Sequence, residues 1–299
     1  MNLFLDVRMH AVGGELAASV AINQLDAAGD YKSAQLSDLL QHIRGQHVLI
    51  ATHGFNVNRA SGIAHLSNWE AQLQLPQSSA FVGLLWPGDS VWAHGLDYPV
   101  ELKVADQAGA ERLAPFVNAN FGSAASISLA SHSLGARLML AAAEGMSTRV
   151  RRAILMAGAV DNNCLVKEFK NATANIDAIS ILASKKDPVL SSLFPLGNLL
   201  GSILDEGHPW FRGALGHAGP SKPIPANFKA PFEIPDVWDY VHGDYLLIAD
   251  PAAPELPIPT DVPPQNSPVF SQDVDQATGK PITGWQSAFS SAFASSRFR

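Results

Sequence analysis

Five short apolar runs, each stopping at small or polar residues, constrain this chain more than any other feature. They are His47-Val-Leu-Ile-Ala51 before Thr-His-Gly, Phe81-Val-Gly-Leu-Leu85 before Trp-Pro-Gly, Ala125 to Ala130 before Ser-His-Ser, Arg152 to Met156 before Ala-Gly-Ala, and Ile176 to Ala183 before Ser-Lys-Lys-Asp. An apolar run of this length, bounded by turn residues, predicts a strand covered on both faces. Segments with helical spacing lie between the runs: Ile63 to Leu75, Val100 to Ala119, Leu134 to Gly145 and Asn162 to Lys170. Strand and amphipathic helix in alternation build βαβ units. The expected fold class is therefore α/β, a mostly parallel central sheet with helices on both faces. Leu3 to Met9 and Leu16 to Leu25 read as two earlier strands joined through Gly13-Gly14, and Ala34 to Arg44 as a helix. In such sheets function gathers at the carboxyl ends of the strands, where the polar stops fall.

Composition narrows the class. The 299 residues are 47% hydrophobic and 16% charged, a globular balance that can bury a large core. The net charge is −7 and the basic residues are scattered, so no nucleic-acid surface is expected. The single cysteine, Cys164, excludes an intrachain disulfide and a thiolate zinc site, and reads as a small buried hydrophobe. Asp6, Arg8 and His10 interrupt the N-terminal apolar run, which predicts no signal peptide. No stretch reaches the roughly 18 apolar residues of a spanning helix. The expectation is a cytoplasmic enzyme without a transmembrane segment.

The rhythm breaks at residues 188–235. This stretch, with Leu190, Leu193, Phe194, Leu196, Leu199, Leu200, Trp210 and Phe211, is expected to be a lid-like insertion over the strand ends. A packed helix followed by a surface loop is the alternative. The expected domain spans residues 1–250. A Pro/Ser-rich tail follows at 251–299, in which Trp285 to Phe298 has the spacing of a short amphipathic helix.

The chemistry centres on Ser126-Ile-Ser-Leu-Ala-Ser-His-Ser-Leu-Gly-Ala-Arg137. A buried strand runs into Ser131-His132-Ser133-Leu134-Gly135 and a helix starts at once, which is the pattern of a G-x-S-x-G nucleophile elbow with Ser131 at the first glycine position. A sharp strand-to-helix turn lifts the Ser133 hydroxyl into open space. It also sets the Leu134 amide at a helix N-terminus, where it can stabilise an oxyanion. The bland alternative is a serine that only caps a helix. Upstream, Thr52-His53-Gly54-Phe55-Asn56 ends a buried strand. Gly54 lets the backbone turn, Phe55 offers the second oxyanion-hole amide, His53 orients the loop, and Asn56 braces it or touches substrate.

These motifs in this order, H-G-F-N, then L-W-P-G, then S-H-S-L-G, resemble a bacterial α/β-hydrolase family catalogued as DUF900. Similar proteins carry an HGFN loop, a WPS-type turn, an A-H-S-M-G elbow and a late S-x-x-D. The resemblance covers about residues 45 to 245 and implies an α/β-hydrolase fold. This chain departs from the pattern at Ser131, Leu134 and Gly88. The family leaves the substrate open.

A serine nucleophile needs a histidine base and an acid to hold it, here in the chain order Ser, acid, His. Asp187, in Ser184-Lys-Lys-Asp-Pro, follows a strand and resembles the family's S-x-x-D. It also reads as an N-cap ahead of Pro188. Asp161 is the second candidate acid, and reads equally as the cap of the helix at Asn162. Of His208, His217 and His242, the last lies in a short polar turn, Val-His-Gly-Asp-Tyr, and is the expected base.

The expected function is a serine hydrolase that cleaves a carboxylic ester through a Ser133–His242–Asp187 triad. The expected partner is a small-molecule ester with an apolar acyl or aryl part, touching Asn56, Trp86, Leu193 and Phe194; Trp92 flanks the same turn as Trp86. Asp89 reads as an ordinary helix or turn residue. Alternatives are thioester or amide chemistry on the same triad, and a non-catalytic binding protein on a hydrolase fold. No cofactor and no metal are expected, because no phosphate-binding glycine loop and no metal-ligand spacing occur.

Overall fold

The computed structural model describes residues 2–72, 75, 77–89, 98–193, 213–229, 236, 240–243 and 245. These form an eight-stranded sheet with spatial order β3-β2-β1-β5-β4-β6-β7-β8. The strands are β1 (Asn2–Arg8), β2 (Leu16–Leu25), β3 (Tyr31–Ser33), β4 (His47–Thr52), β5 (Ser79–Leu85), β6 (Ser126–His132), β7 (Val150–Met156) and β8 (Ile179–Leu182). All pairings from β1 to β8 are parallel, whereas β1–β2 and β2–β3 are antiparallel. Thus the five apolar runs become five adjacent parallel strands, and the sequence-based boundaries differ by one to three residues at most ends. The three-residue edge strand β3 carried too little pattern to be foreseen.

Burial follows neighbours. Leu49 and Ile50 of β4, Leu129 of β6 and Ile154 of β7 are fully covered on alternate faces. Each such side chain contributes about 1.5–3 kcal/mol through burial. Strand β2, near the edge, is nowhere fully buried and keeps exposed positions at Ala18, Ser19 and Ala21.

The helices are α1 (Leu36–Ile43), α2 (Arg59–Gln72), α3 (Tyr98–Gln107), α4 (Ala114–Asn120), α5 (Gly135–Gly145), α6 (Lys170–Ala174) and α7 (Leu215–Ala218). The helix expected over Val100 to Ala119 is interrupted by a π turn at Ala108–Leu113. Pro115 opens the following helix and has no N–H to give to the turn before it. Gly109 within the π turn lies so close to α5 that a Cβ there would sit 2.2 Å from the Leu138 carbonyl oxygen. The expected helix Asn162 to Lys170 is replaced by a 3-10 turn at Cys164–Val166 and the five-residue α6.

Topology places the site. From β4 the chain crosses through α2 to β5 on one side; from β6 it crosses through α5 to β7 on the other. Right-handed crossovers in opposite directions put α2 and α5 on opposite faces of the sheet. The loops leaving neighbouring strands β4 and β6 therefore diverge, opening a crevice at their carboxyl ends. That crevice lies between the H-G-F-N loop and the S-H-S-L-G elbow.

The segment expected as a lid is partly something else. Residues 213–229 pack back on the sheet layer: Ala214 bridges Asp161, Leu215 is buried, and Phe228 pairs with Ile179 of β8. Asn227 donates to the Thr173 and Ile176 carbonyls at 2.9 and 2.6 Å. Backbone bonds from Ile179 to the Asn227 carbonyl (3.0 Å) and from Lys229 to the Ile179 carbonyl (2.8 Å) tie this stretch to the edge strand. The remaining lid positions, including Phe194, Leu196, Leu199, Leu200, His208, Trp210 and Phe211, lie outside the described residues, as do Trp92, the Leu193 side chain and the 251–299 tail. No helix among the described residues is long and apolar enough to cross a membrane. Cys164 is buried, and burial pushes its thiol pKa up.

Candidate active site

The elbow forms where β6 meets α5. Ser133 adopts φ 53°, a left-handed conformation that a non-glycine residue holds only when its surroundings fix it. Here the Ser133 N–H donates to the Met156 carbonyl at the end of β7 (2.9 Å), and the Ser133 carbonyl accepts from Ala159 (3.1 Å) and Ala136 (3.0 Å). Asn56 (φ 58°) and Ala157 (φ 45°) are also left-handed, so strained positions follow β4, β6 and β7 alike. Leu134 caps α5 and is buried.

Two glycines let the H-G-F-N loop and the elbow cross. A Cβ on Gly54 would lie 2.8 Å from Ser133 Cβ and 3.1 Å from His132 Nδ1, and one on Gly135 would lie 2.5 Å from the His53 carbonyl oxygen. Only hydrogen fits at either place. Phe55, half-buried, thus follows a residue packed against Ser133.

His242, Ser133 and Asp187 meet in one line. His242 Nδ1 is 2.7 Å from Asp187 Oδ2, and His242 Nε2 is 2.9 Å from Ser133 Oγ. A carboxylate accepts at Nδ1, so that nitrogen carries the proton and Nε2 accepts from the serine hydroxyl. Asp187 is fully buried, and its other oxygen, Oδ1, accepts from the Val189 and Leu190 amides at 3.0 Å each. One oxygen of this carboxylate thus caps the turn at Val189 and Leu190, and the other bonds the His242 ring. Asp161 makes its strand bridge to Ala214 elsewhere, and His217 lies in α7; neither is the partner of His242.

His53 is fully buried, and burial drives its pKa down to about 3, so it is neutral. Its Nδ1 bonds the Gly54 carbonyl (2.9 Å), and its own carbonyl accepts from Trp86 Nε1 (3.0 Å). The rings of His53 and Trp86 stack with centroids 5.9 Å apart. Trp86 was expected to line the substrate pocket. The structure corrects this: its exposure is 0%, and it braces the H-G-F-N loop through the His53 carbonyl. Asn56 combines an exposed side chain with a backbone N–H given to the Gly88 carbonyl at 2.6 Å.

Sequence reasoning missed Arg8, which it treated only as a charge interrupting an apolar run. Its side chain is fully buried at the end of β1. Nη1 donates to the Trp86 (2.7 Å) and Val57 (3.1 Å) carbonyls, Nε to His10 (3.2 Å), and Nη2 to Ala11 (3.2 Å) and to Asp89 Oδ1. Asp89 Oδ2 accepts from the Gly13 amide at 2.9 Å. One guanidinium therefore joins the H-G-F-N loop, the W-P-G-D turn and the loop after β1, and Asp89 is an ion-pair partner rather than a simple turn residue. Arg8→Met is expected to lower stability by about 3–5 kcal/mol, because Asp89 stays buried without its cation. For a chain of this size that is a fall in Tm on the order of 10 °C. Thermal unfolding checks it; a Tm within a couple of degrees of wild type would refute the clamp.

Among the described residues, no group of three or more His, Cys, Asp or Glu is arranged to hold a metal.

This fold, with a serine at the strand-to-helix elbow and a glycine loop beside it, is that of an α/β hydrolase. Residues 29–219 match the family described as "Alpha/beta hydrolase of unknown function (DUF900)", and the chain belongs to that family. Among solved structures, an uncharacterized protein from Bacillus cereus ATCC 10987 is 15% identical with a TM-score of 0.35, covering 55% of this chain and 50% of that one. The chain thus spans about half the length of that protein. A cutinase-like protein from Cryptococcus sp. is 13% identical with a TM-score of 0.27, covering 46% of this chain and 76% of that one. No curated protein matches the chain.

Proposed function

We propose that this protein is a serine hydrolase that cleaves a carboxylic ester through an acyl-enzyme intermediate. One observation carries the reading: the unbroken hydrogen-bond line from Asp187 through His242 to Ser133 Oγ. In this mechanism Ser133 Oγ attacks the ester carbonyl while His242 Nε2 takes its proton. Asp187 holds the ring in the accepting tautomer and stabilises the imidazolium. The tetrahedral oxyanion is met by the Phe55 and Leu134 amides. Collapse of the intermediate breaks the bond to the leaving alcohol, which takes the proton from His242. Water then attacks the acyl-serine with the same base. The apolar acyl or aryl part of the substrate is inferred from the composition of residues 190–211, in which Leu190 is a buried core residue.

A fluorophosphonate probe is expected to add one covalent label, on the peptide that carries Ser133. A panel of p-nitrophenyl esters, the matching thioesters and anilides is expected to show the highest kcat/KM on the esters. A label elsewhere, or none, overturns the nucleophile. Faster turnover of thioesters or anilides overturns the ester reading and leaves the nucleophile standing.

A further inference from the structure

The base sits in a stretch without regular secondary structure. Residues 240–243 lie in a turn, so no strand ladder or helix sets the height of the His242 ring above Ser133. Side chains from beside the elbow and from beside Asp187 bond carbonyls of this turn. Ser184 Oγ donates to the Tyr240 carbonyl at 2.7 Å, from three residues before Asp187. His132 Nε2 lies 2.7 Å from the His242 carbonyl oxygen, from one residue before Ser133. A carbonyl can only accept, so His132 carries its proton on Nε2.

The surroundings of His132 fit that single task. The residue is 6% exposed, and its ring packs 4.9 Å from the His242 ring and 6.1 Å from that of Tyr245. Its Nδ1 edge faces the place where a Gly54 Cβ would be, 3.1 Å away. Burial keeps it neutral, with a pKa pushed down to about 3, so no second cation forms beside the base. It is too far inside, and too committed to a carbonyl, to act on a substrate proton itself.

We propose that His132 is a positioning residue. Its Nε2–H bond to the His242 carbonyl registers the base with the nucleophile, while its ring fills the space between the oxyanion loop and the base turn. The path is short: the Ser133 backbone, one adjacent residue, one hydrogen bond, and the His242 backbone. The inference rests on the hydrolase reading for its kinetic consequence, though not for its structural one.

Three full-length variants test it. His132→Phe keeps the ring volume and loses the donor. His132→Gln places an amide N–H near the position of Nε2. His132→Asn is polar but too short to reach. The Phe and Asn variants are expected to lose kcat on a p-nitrophenyl ester by about 10- to 100-fold with KM nearly unchanged, the size of effect an ångström-scale misplacement causes. The Gln variant is expected to recover to within about threefold of wild type. In parallel, 15N NMR of labelled histidine, assigned with His242→Gln, is expected to show the His242 ring mainly in the Nδ1–H form in wild type and the Gln variant, and in a mixed form in the Phe and Asn variants.

Wild-type kcat in His132→Phe and His132→Asn overturns the proposal, as does a loss that Gln fails to repair. If wild type shows no turnover and no Ser133 label, the hydrolase reading fails on its own. The NMR comparison then still decides: an altered His242 ring in the Phe and Asn variants upholds the positioning role, and an unaltered one ends it.

Discussion

Ser133→Ala is expected to lower kcat on an activated ester by about 10⁶-fold while the protein keeps its fold, the scale seen when a serine nucleophile is deleted and its surroundings survive. The variant loses the hydroxyl's bond to His242 Nε2 but not the backbone frame of the elbow. Backbone bonds to Met156, Ala159 and Ala136 hold the elbow and remain in the variant. Alanine is smaller than serine and fits beside Gly54, where the closest approach is to Cβ and not to Oγ. A φ of 53° is strained for either residue, so the substitution adds little backbone cost. What remains is two backbone amides and a bound ester, and such a remnant still gives about 10³–10⁴ over the uncatalysed reaction. The measurement is steady-state turnover together with a Tm within a few degrees of wild type. A variant that hydrolyses within a hundredfold of wild type would place the nucleophile at another residue.

The parts of this architecture that were legible in the sequence share one physical property: they are local. A strand buried on both faces must be apolar along its length, so β4, β6 and β7 declared themselves as runs, and the turns that end them declared the site. The hydrogen-bonded meeting of Asp187 and His242 with Ser133 could be anticipated because chain order in this fold is constrained by strand order. Long-range polar bonds leave no such trace. Arg8 meets the Trp86 carbonyl 78 residues away, and His132 meets the His242 carbonyl 110 residues away. In the sequence the first is only a charge in a strand, and the second only the variable residue of an elbow. A polar side chain at the buried end of an otherwise apolar strand was the available signal, and both residues carry it. The helical spacing of Asn162 to Lys170 was a weak preference, and the segment instead forms a 3-10 turn at Cys164–Val166 ahead of α6.

Asp187→Asn separates the proposed duty of Asp187 toward His242 from its cap on the 189–190 turn more sharply than removing the side chain. Oδ1 accepts two amide protons, from Val189 and Leu190, at 3.0 Å each. In the asparagine the carbonyl oxygen must take that place, since the alternative flip aims an NH₂ at two N–H donors. The new NH₂ therefore faces His242 Nδ1, where the carboxylate now lies at 2.7 Å. A donor there obliges Nδ1 to accept, so the ring proton moves to Nε2. Nε2 then points a hydrogen at Ser133 Oγ and has no lone pair to receive the serine proton. The expected result is a loss of kcat of about 10⁴, as for a triad held in the wrong tautomer. Stability should change by no more than about 1 kcal/mol, because the cap on the 189–190 turn survives. Asp187→Ala, by contrast, loses both the tautomer control and the cap, and is expected to be less stable than the asparagine variant. Turnover and thermal unfolding measured side by side distinguish these duties. A drop in kcat of less than tenfold in Asp187→Asn means that the buried carboxylate serves the turn and not the base.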